Sequence, residues 1–198
     1  SMQPSDPREH TSSEDLERVF QQLAEIKRRG LPYQTAAARI ELLQPLTAQM
    51  RADSAHLQEV YATLQHELAL ANLEHLSAER AQQMEKALIA CEEALRFYTL
   101  TDFPYQYANV QMTLGNVYRE LLTGTQRDNL ERAIDCYHKA LEIYTLANFP
   151  AEYAKAQHGL GHTYQIRVEG ARQENLEQAI ASCRAALGVR TVTFFPLD

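Results

Sequence analysis

A unit of 46 residues is repeated along this 198-residue chain. The dipeptide Phe-Pro recurs at that offset as Phe103-Pro104, Phe149-Pro150 and Phe195-Pro196. The block YANVQMTLGNVY (107–118) aligns with YAKAQHGLGHTY (153–164), and a weaker copy, YATLQHELALAN, occupies 61–72. A period of this length is typical of solenoid proteins, in which each unit buries its apolar face only by stacking on a neighbour. The repeat therefore predicts a stack of similar units.

Each unit is predicted to consist of two helices. Ala, Leu, Gln and Glu are abundant, whereas Gly and Pro number seven each, a balance that favours helix. The second helix of a unit is expected to begin at Asn129 or Asn175 as the N-cap, with Gln178 completing a capping box after the latter. The predicted helices are 59–77, 83–100, 105–122, 129–146, 151–168 and 175–192.

Prolines and glycines mark the predicted helix ends. Pro104 and Pro150 suit the first turn of a helix, where the missing N–H would lack a partner anyway. Gly124 and Gly170, in the loops 123–128 and 169–174, suit helix C-caps.

The N-terminal quarter follows a different pattern. Residues 1–12 are polar and are predicted to be a flexible segment. Residues 13–58 are predicted to cap or extend the stack, with helices over 13–29 and 33–52 and a break or kink at Pro45. The repeats then cover 59–198, as the units 59–104, 105–150 and 151–196.

The repeat blocks resemble a known family. LGNVY (114–118) and LGHTY (160–164) resemble the first helix of a tetratricopeptide repeat, and NLERAIDCYHKAL (129–141) resembles its second helix. The resemblance covers roughly residues 59–196. It implies an all-α, right-handed solenoid of stacked antiparallel helix pairs. It also implies that the paired helices touch most closely at Gly115 and Gly161 and that Tyr118 and Tyr164 are core aromatics. The small packing residues of the second helices would be Ala133, Ala140, Ala179 and Ala186.

Two departures from the family pattern are readable. The period is 46 rather than the usual 34 residues, and Gln111 and Gln157 stand where an aromatic often begins the first-helix signature. The long period is similar to that of arrays in large bacterial proteins with caspase-like peptidase or NTPase domains, and of kinesin light chains.

The resemblance further implies that the first helix of each pair lines a concave groove. We call the side chains that this places on the concave side the groove face, and we predict that they bind a partner. They are His66, Asn109, Met112, Asn116, Arg119, Lys155, His158, His162 and Gln165, flanked by Thr63 and Leu70. His158 and His162 are four residues apart, a spacing that can place two imidazoles on one metal ion. The intervening Gly-Leu-Gly lacks the glutamate of the H-E-x-x-H motif and no third ligand is evident, so no metal site is predicted.

Other functional classes find little support in the sequence. A net charge of −7 is unfavourable for nucleic-acid binding, and no apolar run is long enough to span a membrane. Cys91, Cys136 and Cys183 are odd in number and lack C-x-x-C spacing, which indicates reduced cysteines in the cytoplasm. Cys91 and Cys183 share a repeat position with Tyr137, so that position is predicted to be a packing site. No nucleophile–base set or phosphate-binding loop is visible, so we expect neither catalysis nor a cofactor.

The sequence therefore predicts a non-catalytic scaffold that binds a peptide or protein segment in its groove. Because the chain stops where another repeat would begin, we expect a piece of a larger signalling or effector protein. Two alternatives stay open. One is self-association, giving a homodimer through an apolar end face around Val189, Val192, Phe194 and Phe195. The other is a small-ligand sensor with a pocket between the N-terminal helices and the groove.

Overall fold

The computed structural model of the protein describes residues 34–49 and 55–194, together with residues 18, 21 and 24, which are helical. Seven helices make up most of this part of the chain, and no β-strand occurs in it, which confirms the all-α prediction. The helices are α1 (Gln34–Gln49), α2 (Ala55–Glu74), α3 (Arg80–Leu95), α4 (Pro104–Glu120), α5 (Gln126–Leu141), α6 (Pro150–Ile166) and α7 (Arg172–Phe194). The predicted segments 1–12 and 13–29 lie outside the described residues, apart from the three helical positions.

The helices pack in chain order. Each contacts the next, and the contacts are most extensive within three pairs: α2 with α3, α4 with α5, and α6 with α7. The first members of these pairs also contact one another, α2 with α4 and α4 with α6. The 46-residue unit of the sequence therefore corresponds to one helix pair.

We predicted a break or kink at Pro45, and the break is wrong, because helix α1 runs without interruption from Gln34 to Gln49. Proline removes one backbone hydrogen bond and costs about 3 kcal/mol in a helix interior. Packing opposes that cost, because Leu43 is fully buried in the main apolar core and α1 packs along α2. Burying a leucine side chain contributes about 2 kcal/mol. Tertiary burial thus overrides the local preference of the proline.

The two repeat prolines begin their helices as predicted. Pro104 and Pro150 lie at the N-terminal turns of α4 and α6, where the preceding residues Phe103 and Phe149 form the N-caps. No backbone donor is sacrificed there, since the first amides of a helix have no intrahelical acceptor.

The predicted N-caps at Asn129 and Asn175 are wrong. Helix α5 begins a turn earlier, with Thr125 as N-cap, and the Thr125 side chain accepts from the Asp128 N–H at 3.3 Å. Asn129 is buried inside α5, and its Nδ2 donates to the Thr123 and Leu121 carbonyls at 2.8 and 3.3 Å. Asn175 is equally buried in α7 and donates to the Glu169 carbonyl at 2.8 Å. Both asparagines therefore hold the preceding loop, and Asn175–Gln178 forms no capping box.

The loop glycines also differ in role from the prediction. Gly124 and Gly170 adopt φ of +77° and +82°, a conformation that residues with a Cβ rarely take. The C-caps, however, are Leu121 and Arg167, three residues earlier in each case. The glycines turn the loop toward the asparagine that binds its carbonyls, rather than ending the helix.

Small residues bring the paired helices into close contact. A Cβ on Gly115 would lie 2.9 Å from the Tyr137 ring, and one on Gly161 would lie 2.9 Å from the Cys183 Sγ, which confirms the predicted close approaches. Tyr137 is fully buried, as is Cys91 at the equivalent position, which confirms the packing site in these two copies, while Cys183 in the third copy is half-buried. Gly159 contributes a contact that the sequence did not indicate: its Cβ would lie 2.7 Å from the same Tyr137 ring.

The remaining packing predictions are confirmed in most cases. Ala133, Ala140, Ala179 and Ala186 are buried, and so is Tyr118, while Tyr164 is half-buried against the main core. The predicted apolar end face is wrong at Val189, which is buried and packs with Ala154 of α6. Nothing is described for the side chains of Val192 and Phe194, and Phe195 lies outside the described residues.

An ionic contact joins the second and third repeat units. The Arg167 guanidinium donates to both carboxylate oxygens of Glu131 at 2.7 and 2.8 Å and to Asn175 Oδ1 at 3.2 Å. It also lies over the Tyr164 ring, 5.7 Å from the ring centre. These hydrogen bonds hold the pKa of the Glu131 carboxyl below its ordinary value. Arg167 thus ties α5, α6 and α7 together.

The Glu131–Arg167 pair predicts a pH dependence of stability. A carboxyl whose pKa is lowered by folding stabilises the protein above its ordinary pKa near 4.5, and this contribution is lost as the pH falls through the folded pKa. At neutral pH we expect Glu131→Gln to reduce the free energy of unfolding by about 1 kcal/mol, a value discounted for the partial exposure of both groups. Urea unfolding at several pH values is the measurement, and the difference from wild type should shrink below pH 4.5.

The control is the ion pair between Arg96, the exposed C-cap of α3, and the half-buried Glu93 three residues earlier. Arg96→Ala should change the stability by less than about 0.5 kcal/mol. An undiminished effect of Glu131→Gln at acidic pH would contradict the assigned role of the carboxylate.

Candidate functional site

The predicted groove face comes from α2, α4 and α6, the first helices of the three pairs. His66 lies on α2, four residues of the set lie on α4, and Lys155, His158, His162 and Gln165 lie on α6. The direct contacts of α2 with α4 and of α4 with α6 place these helices next to one another. The set therefore spans three neighbouring elements, but its members differ widely in exposure.

Two buried tyrosines that follow the second helices, Tyr98 after α3 and Tyr144 after α5, engage part of this face through their hydroxyls. The fully buried Tyr144 donates from its hydroxyl to Asn109 Oδ1 at 2.5 Å. At the equivalent position one repeat earlier, the Tyr98 hydroxyl and Thr63 Oγ1 are 2.6 Å apart. Asn109 and Thr63 are thus fixed by their own helix pair, and the acceptor oxygen of Asn109 is already occupied.

Tyr137 organises the middle of the face. Its hydroxyl donates to Asn116 Oδ1 at 2.7 Å and accepts from Arg119 Nη1 at 3.2 Å. Burial raises the pKa of Tyr137 to about 12, although the Arg119 charge opposes the shift. The hydroxyl therefore stays protonated at neutral pH and holds two predicted site residues in place. Sequence reasoning assigned Tyr137 to packing alone and missed this role.

Arg119 is itself largely covered. Its side chain is 17% exposed, and Nη2 lies 3.9 Å from Glu120 Oε1. Glu120 also forms an ion pair with Arg80 of α3. Glu120 thus partly balances the charge of Arg119. The guanidinium is oriented by the Tyr137 hydroxyl and by the Glu120 carboxylate.

His66 and Met112 contribute less accessible surface. His66 is half-buried, and its Nε2 lies 2.9 Å from Thr113 Oγ1 of α4. Met112 is half-buried and packs against two apolar clusters, one of which includes Tyr144. These two residues join neighbouring repeats more than they offer a surface to a partner.

The exposed part of the face lies on α6. Lys155, His158, His162 and Gln165 are all exposed. The pKa of His162 is lowered, first by partial burial and then by the positive charges of Arg119 and His158, with Glu120 acting in the opposite direction. The effect of Arg119 on His162 indicates that α4 and α6 bring their cationic groups within electrostatic range of each other. Lys155 adds a further positive charge to the same helix.

The arrangement concentrates hydrogen-bond donors on one face. Arginine, histidine and lysine donors on one face match carboxylate acceptors of a partner. Within the described residues, no three His, Cys, Asp or Glu side chains are placed to share a metal ion. The described helices also include none with the length and apolar character of a membrane span.

The chain matches no protein-family model, no curated protein and no solved structure.

Proposed function

We propose that the protein is a tetratricopeptide-like scaffold that binds an acidic peptide or protein segment on its groove face. The proposal takes the helix pairs α2–α3, α4–α5 and α6–α7 as antiparallel hairpins stacked in a right-handed solenoid. It is supported by the 46-residue period, by the extensive contacts within each pair and by the serial contacts of α2, α4 and α6. Such a stack presents its first helices along one side.

The single observation that carries the proposal is the set of donor side chains Arg119, Lys155, His158 and His162 on α4 and α6, in which Arg119 and Lys155 are positively charged, on a chain with net charge −7. A local excess of positive charge on an acidic protein favours a negatively charged partner at that place and repels it elsewhere. The Tyr137 and Tyr144 hydroxyls hold Asn116, Arg119 and Asn109 in fixed positions. Fixed polar groups reduce the entropy that a partner must offset on binding.

The scaffold would act without catalysis and without a cofactor, as a cytoplasmic part of a larger signalling or effector protein. Free thiols at Cys91 and Cys136 are consistent with a reducing compartment. Burial raises the pKa of the Cys136 thiol to about 12, so this thiol is a packing group and not a nucleophile.

Selection from a library of random displayed peptides tests the proposal. We expect the peptides bound by the wild-type protein to be enriched in Asp and Glu, and their affinity to fall as salt is added. Replacement of Arg119, His158 and His162 by Ala should weaken the selected peptides at least about tenfold, since charged hydrogen bonds contribute about 1.5 kcal/mol or more each. Circular dichroism would confirm that the triple variant stays folded.

The control variant carries Arg96→Ala and His138→Ala, which remove one exposed arginine and one exposed histidine from the second helices α3 and α5. This variant should bind the peptides as the wild type does. Selected peptides without acidic residues, or equal binding by the triple variant, would show that the chosen face is not the site.

A further inference from the structure

Helix α7 carries an apolar stripe that its own protomer leaves exposed. Leu176, Ile180 and Leu187 are 36%, 51% and 59% exposed, and Cys183 between them is half-buried. Their spacing of four, three and four residues is that of a coiled-coil seam. The adjacent stripe of α7, which includes Ala179 and Ala186, is buried against α6. Leu176, Ile180 and Leu187 therefore form a second face of α7 beside the face that joins α6, and Cys183, whose Sγ lies against Gly161 of α6, is at the border between the two faces.

The equivalent stripe one repeat earlier shows what such a face accommodates. On α5 the corresponding residues Leu130, Ile134 and Tyr137 are buried. Helix α6 covers them: Gly159 lies against Tyr137, and Arg167, further along the chain, bonds Glu131 near the start of α5. The later residue, Arg167, contacts the earlier part of α5, so α6 runs antiparallel to α5. The stripe on α7 has leucine and isoleucine at the first two of these positions and the smaller Cys183 in place of Tyr137, and it suits another antiparallel helix.

We propose that the covering helix is α7 of a second copy, in a two-fold symmetric dimer. In an antiparallel seam of this spacing, Leu176 lies opposite Leu187 of the second copy, and Ile180 lies opposite its Cys183. The pairing is self-complementary, as a two-fold interface must be. It buries six leucine and isoleucine side chains in total, three from each copy. This surface lies on α7 and is independent of the groove face.

Charge complementarity selects the second copy over other helices. Glu177 and Arg184 are exposed and seven residues apart, along the edge of the stripe that faces away from α6. In the antiparallel pair, this edge of one α7 meets the same edge of the other. Glu177 of each copy then lies beside Arg184 of the other, which gives two equivalent ion pairs flanking the apolar seam. A parallel arrangement would instead bring this edge of one α7 against the opposite edge of the other, which carries Ala179 and Ala186 and is buried against α6.

Sedimentation equilibrium over a range of micromolar concentrations tests the dimer. The wild-type protein is expected to show a monomer–dimer equilibrium, and Ile180→Asp is expected to give a monomer. Ile89→Asp is the matched control, because Ile89 is 60% exposed on α3 and lies outside the seam, and this variant should dimerise as the wild type does. A wild-type protein that is monomeric at every concentration would overturn the proposal and leave the stripe to a different occupant.

A charge exchange tests the orientation and does not depend on the folding of the Ile180 variant. Glu177→Arg or Arg184→Glu alone places like charges at both sites, and each should weaken the dimer at least about tenfold. The double variant E177R/R184E restores opposite charges and should dimerise within about threefold of wild type. A double variant no better than the single variants would overturn the antiparallel pairing of α7 with α7.

Discussion

Gly159→Ala is expected to destabilise the protein by about 2 kcal/mol, which is the usual cost of overpacking a filled core. The added Cβ would lie 2.7 Å from two carbons of the Tyr137 ring. The ring cannot move away readily, because it is fully buried and Gly115 contacts it from α4. The higher helix propensity of alanine offsets up to about 1 kcal/mol of the steric cost. Thermal and urea unfolding of the variant and the wild type would measure the difference.

The same substitution is expected to reverse its sign in a Tyr137→Cys background. Tyr137 occupies the repeat position of Cys91, and Gly159 occupies that of Thr113. Between the first and second repeat units, the equivalent positions therefore hold a small cysteine and a larger threonine. With cysteine at 137, the alanine methyl at 159 would fill space and gain helix propensity. A stability gain of about 1 kcal/mol is expected there. Equal destabilisation in both backgrounds would contradict the assigned contact.

Gly188→Ala is the control for these two experiments. A Cβ at Gly188 would meet no atom within 4 Å, and the residue lies inside α7. This substitution should therefore stabilise the protein by up to about 1 kcal/mol through helix propensity alone.

Asn129→Ala is expected to cost about 2 kcal/mol, because it removes the donors of two loop carbonyls at a buried site. The Asn129 Nδ2 donates to the Thr123 and Leu121 carbonyls, and Gly124, which follows Thr123, has a positive φ. Asn129→Asp should be at least as damaging, since its carboxylate would face the same oxygens without a proton to donate. The melting temperature should fall by about 6 °C for the alanine variant.

The matched control is Asn148→Ala, which alters an exposed asparagine in the loop before α6. Its melting temperature should stay within about 1 °C of wild type. If Asn129→Ala behaves like this control, the hydrogen bonds of Asn129 do not hold the loop.

The helical organisation could be predicted because the same helix-start and packing signals recur in successive repeats. The Phe-Pro dipeptides locate the starts of α4 and α6, and the recurring glycines Gly115 and Gly161 locate close contacts within two helix pairs. Each of these signals depends on local geometry: a proline without a donor, or a residue without a side chain. Local geometry of this kind can be read from a sequence.

The asparagine caps failed because two cap-competent residues stand four apart. Thr125 and Asn129 both suit an N-cap, and only the path of the preceding loop decides which one begins the helix. The third repeat has Ala171 at the position of Thr125, so residue type alone favours Asn175 as the N-cap. The role of Asn175 is decided by its hydrogen bonds with the Glu169 carbonyl and with Arg167. The spacing of residues in the repeat does not predict such side-chain hydrogen bonds to the preceding loop.

The candidate site was predictable as a set of positions but not in its internal connections. The sequence placed Asn116, Arg119, His158 and His162 on one face by analogy with first helices. It could not show that the Tyr137 hydroxyl bonds Asn116 and Arg119, because that tyrosine replaces the cysteine of the other copies. The exposed stripe on α7 was missed for a related reason: its leucines and isoleucine have the same pattern as buried ones, and only the absence of a covering helix within the described chain distinguishes them.

The central claim, that each 46-residue unit occupies an equivalent place in a regular stack, is tested most directly by distances between spin labels. Leu76, Leu122 and Val168 are exposed at equivalent repeat positions and can each be replaced by a labelled cysteine. Cys183→Ser would remove the accessible native thiol, while burial protects Cys91 and Cys136. The account predicts equal 76–122 and 122–168 distances, with the 76–168 distance the longest of the three. Unequal distances between successive units, or a 76–168 distance no longer than the others, would contradict the stack.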